Sequence, residues 1–140
     1  MERKDFVLAV MAAAGGAEHT PVQVQKLFFL LDKTIAKSVG GPFFHFVAYD
    51  YGPFDDAVYH VIQELEDEGS AETCDGSLRR YKLTDQGLSN GKVLLGDLDK
   101  KTKDYIKSLS AWVRSLSFAE LVSAVYQAYP EMKANSVFRG

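Results

Sequence analysis

An α+β fold, mainly helical, is predicted by three observations. Apolar residues recur at helical spacing through most of the 140 residues. One aromatic and β-branched segment, Phe43 to Tyr51, alternates between two faces as a strand does. A further stretch, 70–84, sets Asp75-Gly76-Ser77 between two short strand-like runs, and Asp-Gly is the strongest short hairpin signal. The resulting order is helix, helix, short strand, helix, hairpin, then more helices. That is the order of a winged-helix-like core with a short β-hairpin wing and additional C-terminal helices. We read residues 1–140 as a single domain, with the core over about 1–84, a helical extension over about 85–130 and a short, partly ordered tail at 131–140.

The first helix is expected from Arg3 to Ala14, ending at Gly15-Gly16, with Phe6, Val7, Val10, Met11 and Ala14 on one face. The second opens on Thr20 as cap, Pro21 at the first helical position and Gln23 at the third. Thr and Gln at that spacing can satisfy orphan amides reciprocally. Its stripe is Val24, Leu27, Phe28, Leu31 and Ile35, widened by Phe29 and Leu30, and Gly40-Gly41-Pro42 ends it. The strand puts Phe44, Phe46 and Ala48 on one side until Gly52-Pro53 breaks it. A helix from Phe54 to Glu68 follows, with Phe54, Val58, Val61, Ile62 and Leu65 inward and Asp55 and Asp56 in its first turn, where the dipole favours acids. Leu27, Phe28, Leu31, Phe46, Ile62 and Leu65 are expected to be buried together. After the hairpin, Thr84 caps a helix weakened by Gly87 and Gly91. A longer helix, Leu98 to Leu116, aligns Thr102, Tyr105, Leu109, Trp112 and Leu116 on one face, with Ile106 and Val113 beside it. Ser117 and Glu120 form a second capping box, and Pro130 ends that helix.

Composition narrows the function. The formal charge of −3 and pI near 5.6 give no global attraction to nucleic acid or anionic membranes. The single cysteine, Cys74, cannot form an internal disulfide, and no apolar run reaches membrane-spanning length. Phe6 to Ala17 follows Arg3 and Lys4 and ends in small residues, as a signal peptide does. Glu2 and Asp5 dilute its charge, however, and its apolar residues share a helical face, so we read a folded helix and a cytoplasmic protein.

Catalytic signatures are lacking. His19, His45 and His60 do not fall at metal-ligand spacing, and Cys74 has no second cysteine. A meeting of His45 or His60 with Asp50 remains open, but a strand histidine and a surface histidine are the simpler reading. No phosphate loop, dinucleotide turn or nucleophile elbow is present. We therefore expect no enzyme, no metal and no cofactor. The Asp50-Tyr51-Gly52-Pro53 corner could present phenols and a carboxylate to a ligand. Gly52 and Pro53 each have a backbone reason to stand in a rigid turn, so Tyr51, Gly52 and Pro53 are read as a structural corner.

Gln25-Lys26-Leu27-Phe28-Phe29, followed by Tyr51-Gly52-Pro53, Tyr59, Leu65 and Gly69, resembles a pattern of two related bacterial groups: the Panacea (SocA-like) antitoxin domain and the small YwgA-like proteins. The resemblance covers about residues 20 to 87, and Tyr81-x-Leu83-Thr84-x-x-Gly87 resembles the wing-to-helix passage of winged-helix proteins generally. Panacea domains neutralise toxins by binding them, so the resemblance implies a protein-binding role. Phe54-Asp55-Asp56 stands where the Panacea pattern continues apolar or Pro-rich, which moves the match toward the YwgA-like group.

Charge separates two binding readings. From Asp50 to Gly76 there are nine acids and no Lys or Arg. A recognition helix so charged would meet DNA phosphate with like charge. Asp55, Asp56, Glu64, Glu66, Asp67 and Glu68 are therefore the candidate partner-binding residues, suited to a basic partner. For nucleic acid the alternative residues are Arg79, Arg80 and Lys82 of the wing with Lys100, Lys101, Lys103 and Lys107 beyond it. The expectation is a non-enzymatic protein-interaction module, an antitoxin or regulatory protein, whose protein partner is a toxin or other protein rather than DNA, with a homodimer left open. The alternative is a winged-helix DNA-binding regulator using the wing and basic helix, and a small hydrolase or nuclease ranks third.

Overall fold

A computed structural model describes residues 1–139. Seven α-helices, two antiparallel hairpins and a terminal 3-10 turn follow one another as α1 (Arg3–Ala12), α2 (Pro21–Thr34), α3 (Ala36–Val39), β1 (Val47–Tyr49), β2 (Gly52–Phe54), α4 (Ala57–Asp67), β3 (Ala71–Cys74), β4 (Arg80–Leu83), α5 (Asp85–Gly96), α6 (Lys100–Ser115), α7 (Phe118–Ala128) and the turn Pro130–Lys133. The fold is α+β and mainly helical. Among the described residues no helix is long and apolar enough to cross a membrane.

Local signals hold well. Thr20 and Gln23 form the expected capping box on α2, as do Ser117 and Glu120 on α7, and the Thr84 hydroxyl caps α5. Thr20→Ala should cost about 1 kcal/mol, read as a lower urea midpoint at an unchanged slope.

The core has two central helices. In α1, Phe6 to Ala12 are all buried, because α4, α5, α6 and β4 surround the helix; the single apolar face expected from sequence is too narrow a description. α2 meets α1 through the edge-on Phe6–Phe28 ring pair and is packed by α4, α6, α7 and β2. Leu27, Phe28, Leu31, Ile62 and Leu65 are buried together. Phe46 is only partly buried, resting edge-on against Phe29.

Several expected boundaries move, each for a physical reason. α2 stops at Thr34, whose hydroxyl donates to the Leu30 carbonyl, and the one-turn α3 completes the path to Gly40. The strand expected over residues 43–51 begins only at Val47. The backbone N–H groups of Phe43 and Phe44 donate to the Asp32 carboxylate (3.1 and 3.0 Å), and that of His45 donates to the Asp55 carboxylate (2.8 Å), so no ladder forms there. Gly52 and Pro53 do not end the strand; they begin its partner. Tyr49 pairs with Gly52, both loop residues keep negative φ, and Gly52 at φ +105° lets the chain return. α4 accordingly starts at Ala57, and Asp55 and Asp56 precede it rather than forming its first turn.

On α6 the buried face is Thr102, Ile106, Ser110 and Val113. Tyr105 and Trp112, aligned with Thr102 in the sequence reading, face out, with Trp112 43% exposed. The small Ser110, fully buried, occupies the inward position instead of the larger aromatics. The tail expected to be partly ordered is anchored: Val137 N–H donates to the Asp50 carbonyl, Asn135 to the Ala48 carbonyl, and the Tyr126 hydroxyl to Ser136.

Candidate functional site

The two sequence segments that carry the family resemblance touch. Gln25 is buried, and its amide pairs with the backbone of Asp55 in both directions, donating to the carbonyl (2.9 Å) and accepting from the N–H (2.9 Å). One residue on, the Lys26 ammonium donates to the Pro53 carbonyl at 3.2 Å. Residues 53 to 55 are thus fastened to α2 by adjacent side chains of one helical turn. Gly52 is needed at the join, since a Cβ there would lie 3.2 Å from the Tyr126 ring and 3.5 Å from Lys26 Cε.

Lys26 is 3% exposed, and burial alone pushes its ammonium down to about 8. Sequence reasoning quoted Lys26 and missed its role. The available signal was that a helix expected to be buried on more than one side must also bury polar residues there.

Around the N-terminus of α2 lie three adjoining depressions, all bordered by Pro21. The first, of about 580 Å³, lies between α4 and the wing and is walled by Tyr59, Ile62, Glu66, Thr73, Arg79 and Tyr81. The second, about 550 Å³, is the most apolar and lies between the wing loop and α7, against Val22, Leu78, Leu116, Phe118 and Leu121. The third, about 250 Å³, runs under the Tyr51-Gly52-Pro53 corner and reaches Lys26, with Tyr49, Tyr51, Phe54, Tyr59 and Phe118 around it. Leu78 is 58% exposed and Phe118 45% exposed, and the Tyr51 ring meets the Phe118 ring edge-on at 5.1 Å. An apolar residue in the hairpin loop and another in the first turn of a capped helix were the sequence cues for this surface, and neither was used.

The candidate acids divide into two groups. Asp55 accepts from the N–H groups of His45 and Ala57; Glu66 accepts from the backbone N–H and hydroxyl of Thr73; Glu68 pairs with Lys4. These three hold the fold together. Asp56, Glu64 and Asp67 are exposed, Asp67 accepting only from Gln63 on its own helix.

Several of the basic residues are likewise paired with acids. On the wing, Arg79 lies 3.5 Å from Asp75, Arg80 3.5 Å from Glu18 and Lys82 3.3 Å from Glu72. On α6, Lys100 pairs with Asp104 at 2.6 Å and Lys101 is exposed. Lys103 and Lys107 join Lys92 around a depression at the C-terminal ends of α1 and α5, where cations complement the helix carbonyls.

His45 and His60 are exposed, Cys74 is half-buried, and among the described residues no three His, Cys, Asp or Glu side chains are grouped to hold a metal ion. His19 differs. Its backbone bridges Tyr81 on the wing in both directions at 2.8 Å, while neither ring nitrogen has a hydrogen-bond partner among the described residues.

Compared with protein-family models, with curated proteins and with solved structures, the chain matches none of them.

Proposed function

We propose that this chain is a non-enzymatic protein-interaction module on a winged-helix-like frame, which docks a partner in the apolar depressions around Pro21. Support for the frame comes from the bridge between His19 and Tyr81, which adds a third backbone segment to the β3–β4 hairpin from the link between α1 and α2. The observation that carries the docking reading is the ring of exposed large apolar residues. Tyr49, Tyr51, Leu78 and Phe118 come from three separate elements and border one concave surface, the usual mark of an interaction site. The exposed Asp56, just before the neighbouring α4, and Glu64 and Asp67 on it would steer a basic partner toward that surface. An antitoxin or regulatory role is what the resemblance to Panacea and YwgA-like proteins adds.

The DNA reading is the weaker one. Each wing cation already has an acid beside it, and α4 would bring its free carboxylates to the phosphates.

The test uses a peptide selected against the immobilised protein from a display library, with its affinity read by fluorescence anisotropy. Leu78→Glu and Phe118→Glu should each weaken binding at least about tenfold without lowering the melting temperature, because both side chains are exposed and line the apolar depression. Glu64→Lys with Asp67→Lys should slow association of a basic peptide and leave its dissociation nearly unchanged. Unaltered binding in both apolar variants would contradict the proposal. So would tight duplex binding that disappears when Arg79 and Arg80 become Ala.

A further inference from the structure

The smallest of the three depressions holds a charge that the fold itself does not balance. Lys26 is almost wholly buried, yet its one hydrogen bond within the described residues is to a neutral carbonyl, that of Pro53. Among the described residues its ammonium is in no salt bridge. The acid nearest in sequence to that contact, Asp55, turns its carboxylate to the N–H groups of His45 and Ala57. Asp50 borders the same depression on the hairpin loop.

A purely structural lysine explains this poorly. Burying a cation without a counter-ion costs several kcal/mol. The mechanical task of tethering residues 53–55 to α2 is already performed by the neutral Gln25, with two bonds of 2.9 Å. An ammonium with donor capacity to spare, opening to a cavity ringed by aromatic side chains, is instead a ready counter-ion.

We propose that this cavity binds the C-terminal residue of the docked partner chain, its carboxylate paired with Lys26 and its side chain held by Tyr51, Tyr59 and Phe118. The inference rests on the docking reading above and names the part of the partner that anchors it. Charge complementarity selects the carboxylate. Size selects the chain end: about 250 Å³ suits a single large residue, and a terminal residue brings carboxylate and apolar side chain together. The remainder of the partner then leaves over Pro21 and Val22, which border both this cavity and the larger apolar depression beside Leu78.

The probes are N-acetyl-Gly-Gly-Phe with a free carboxylate, the same peptide as its C-terminal amide, and phenylacetate. Binding is followed by the amide resonances of Gly52, Tyr51 and Phe118. The free acid should bind at least about tenfold more tightly than the amide, as expected for a charge-assisted hydrogen bond. Lys26→Met should erase that difference while still binding the amide, which also reports that the variant is folded. Tyr51→Ala with Phe118→Ala should weaken acid and amide alike. Equal binding of acid and amide, a preference that survives in Lys26→Met, or no binding of either peptide would each overturn the proposal. Phenylacetate bound more tightly than the peptide acid would overturn it too, by assigning the cavity to a small free acid. If Leu78→Glu abolishes binding of the library-selected peptide while acid and amide remain equal here, the docking reading stands and the carboxylate anchor alone falls.

Discussion

Gly87→Ala should destabilise the protein by about 3 kcal/mol or more, although it places the best helix former in the first turn of α5. A Cβ at Gly87 would lie 1.8 Å from the Ser70 carbonyl oxygen and 2.7 Å from its carbon. Both are backbone atoms, and that carbonyl accepts the Thr84 N–H at the junction of wing and helix. The gain in helix propensity, about 1 kcal/mol, cannot offset so large a displacement. Gly91→Ala should follow the same pattern, since its Cβ would meet Ala12 Cβ at 2.6 Å and the Leu8 carbonyl at 2.8 Å. These two glycines let α5 pass close over Ser70 and α1. Gly96 on the same helix has open space around it, so Gly96→Ala should leave stability unchanged or raise it slightly. Urea unfolding of the three variants checks the contrast, and equal midpoints for Gly87→Ala and Gly96→Ala would contradict the packing described.

The second large effect is a pH dependence centred on His19. This ring is 1% exposed, and burial, followed by the nearby Arg114 charge, lowers its pKa from 6.5 to about 4. Above pH 6.5 the ring is neutral in both folded and unfolded chains, and the stability of the buried neutral form is fully present. As pH falls from 6.5 toward 4, the unfolded chain takes up a proton that the folded chain refuses, so stability is lost. At roughly 1.4 kcal/mol per pH unit, the gap between 6.5 and about 4 amounts to about 3 kcal/mol. His19→Leu keeps the backbone bridge to Tyr81 and removes the titration. Its stability should therefore fall much less over this window, and the difference between variant and native protein separates His19 from the carboxylates that titrate alongside. Parallel profiles for the two proteins would show that the ring is not held neutral.

How much of this was legible in the sequence depends on range. The capping boxes at Thr20 and Ser117 are written within four residues and appeared as read. The β3–β4 hairpin followed from Asp75-Gly76, although the loop between Cys74 and Arg80 is longer than a two-residue turn. The strand at residues 43–46 failed because its N–H groups are claimed by Asp32 and Asp55, one distant in sequence and the other beyond a hairpin. The face read for α6 from apolar spacing is rotated toward Ile106 and Val113, the residues placed beside it. Thr102 is inward as expected, and Ile106, Ser110 and Val113 complete the buried face, leaving Tyr105 and Trp112 outside. Gly87 and Gly91 read as weaknesses in a helix when they are its contact surface, a distinction only the neighbouring backbone reveals.

The candidate site divides in the same way. Acid count along the sequence pointed to α4, but Asp55, Glu66 and Glu68 are bound to His45 and Ala57, to Thr73 and to Lys4, none of which a charge tally connects. The join of Gln25 and Lys26 to the Tyr51-Gly52-Pro53 corner spans about 27 residues of chain, and the apolar surface beside it is assembled from α2, the wing loop and α7. Sequence periodicity carries no record of such convergence.

The most direct measurement of the central claim is chemical-shift mapping of a library-selected peptide on the isotopically labelled protein. The largest perturbations should gather at Val22, Gln23, Tyr51, Leu78 and Phe118, around the N-terminus of α2. Perturbations confined to the outer face of α6, at Tyr105 and Trp112, or spread over the wing cations Arg80 and Lys82 without Leu78 and Phe118, would contradict it.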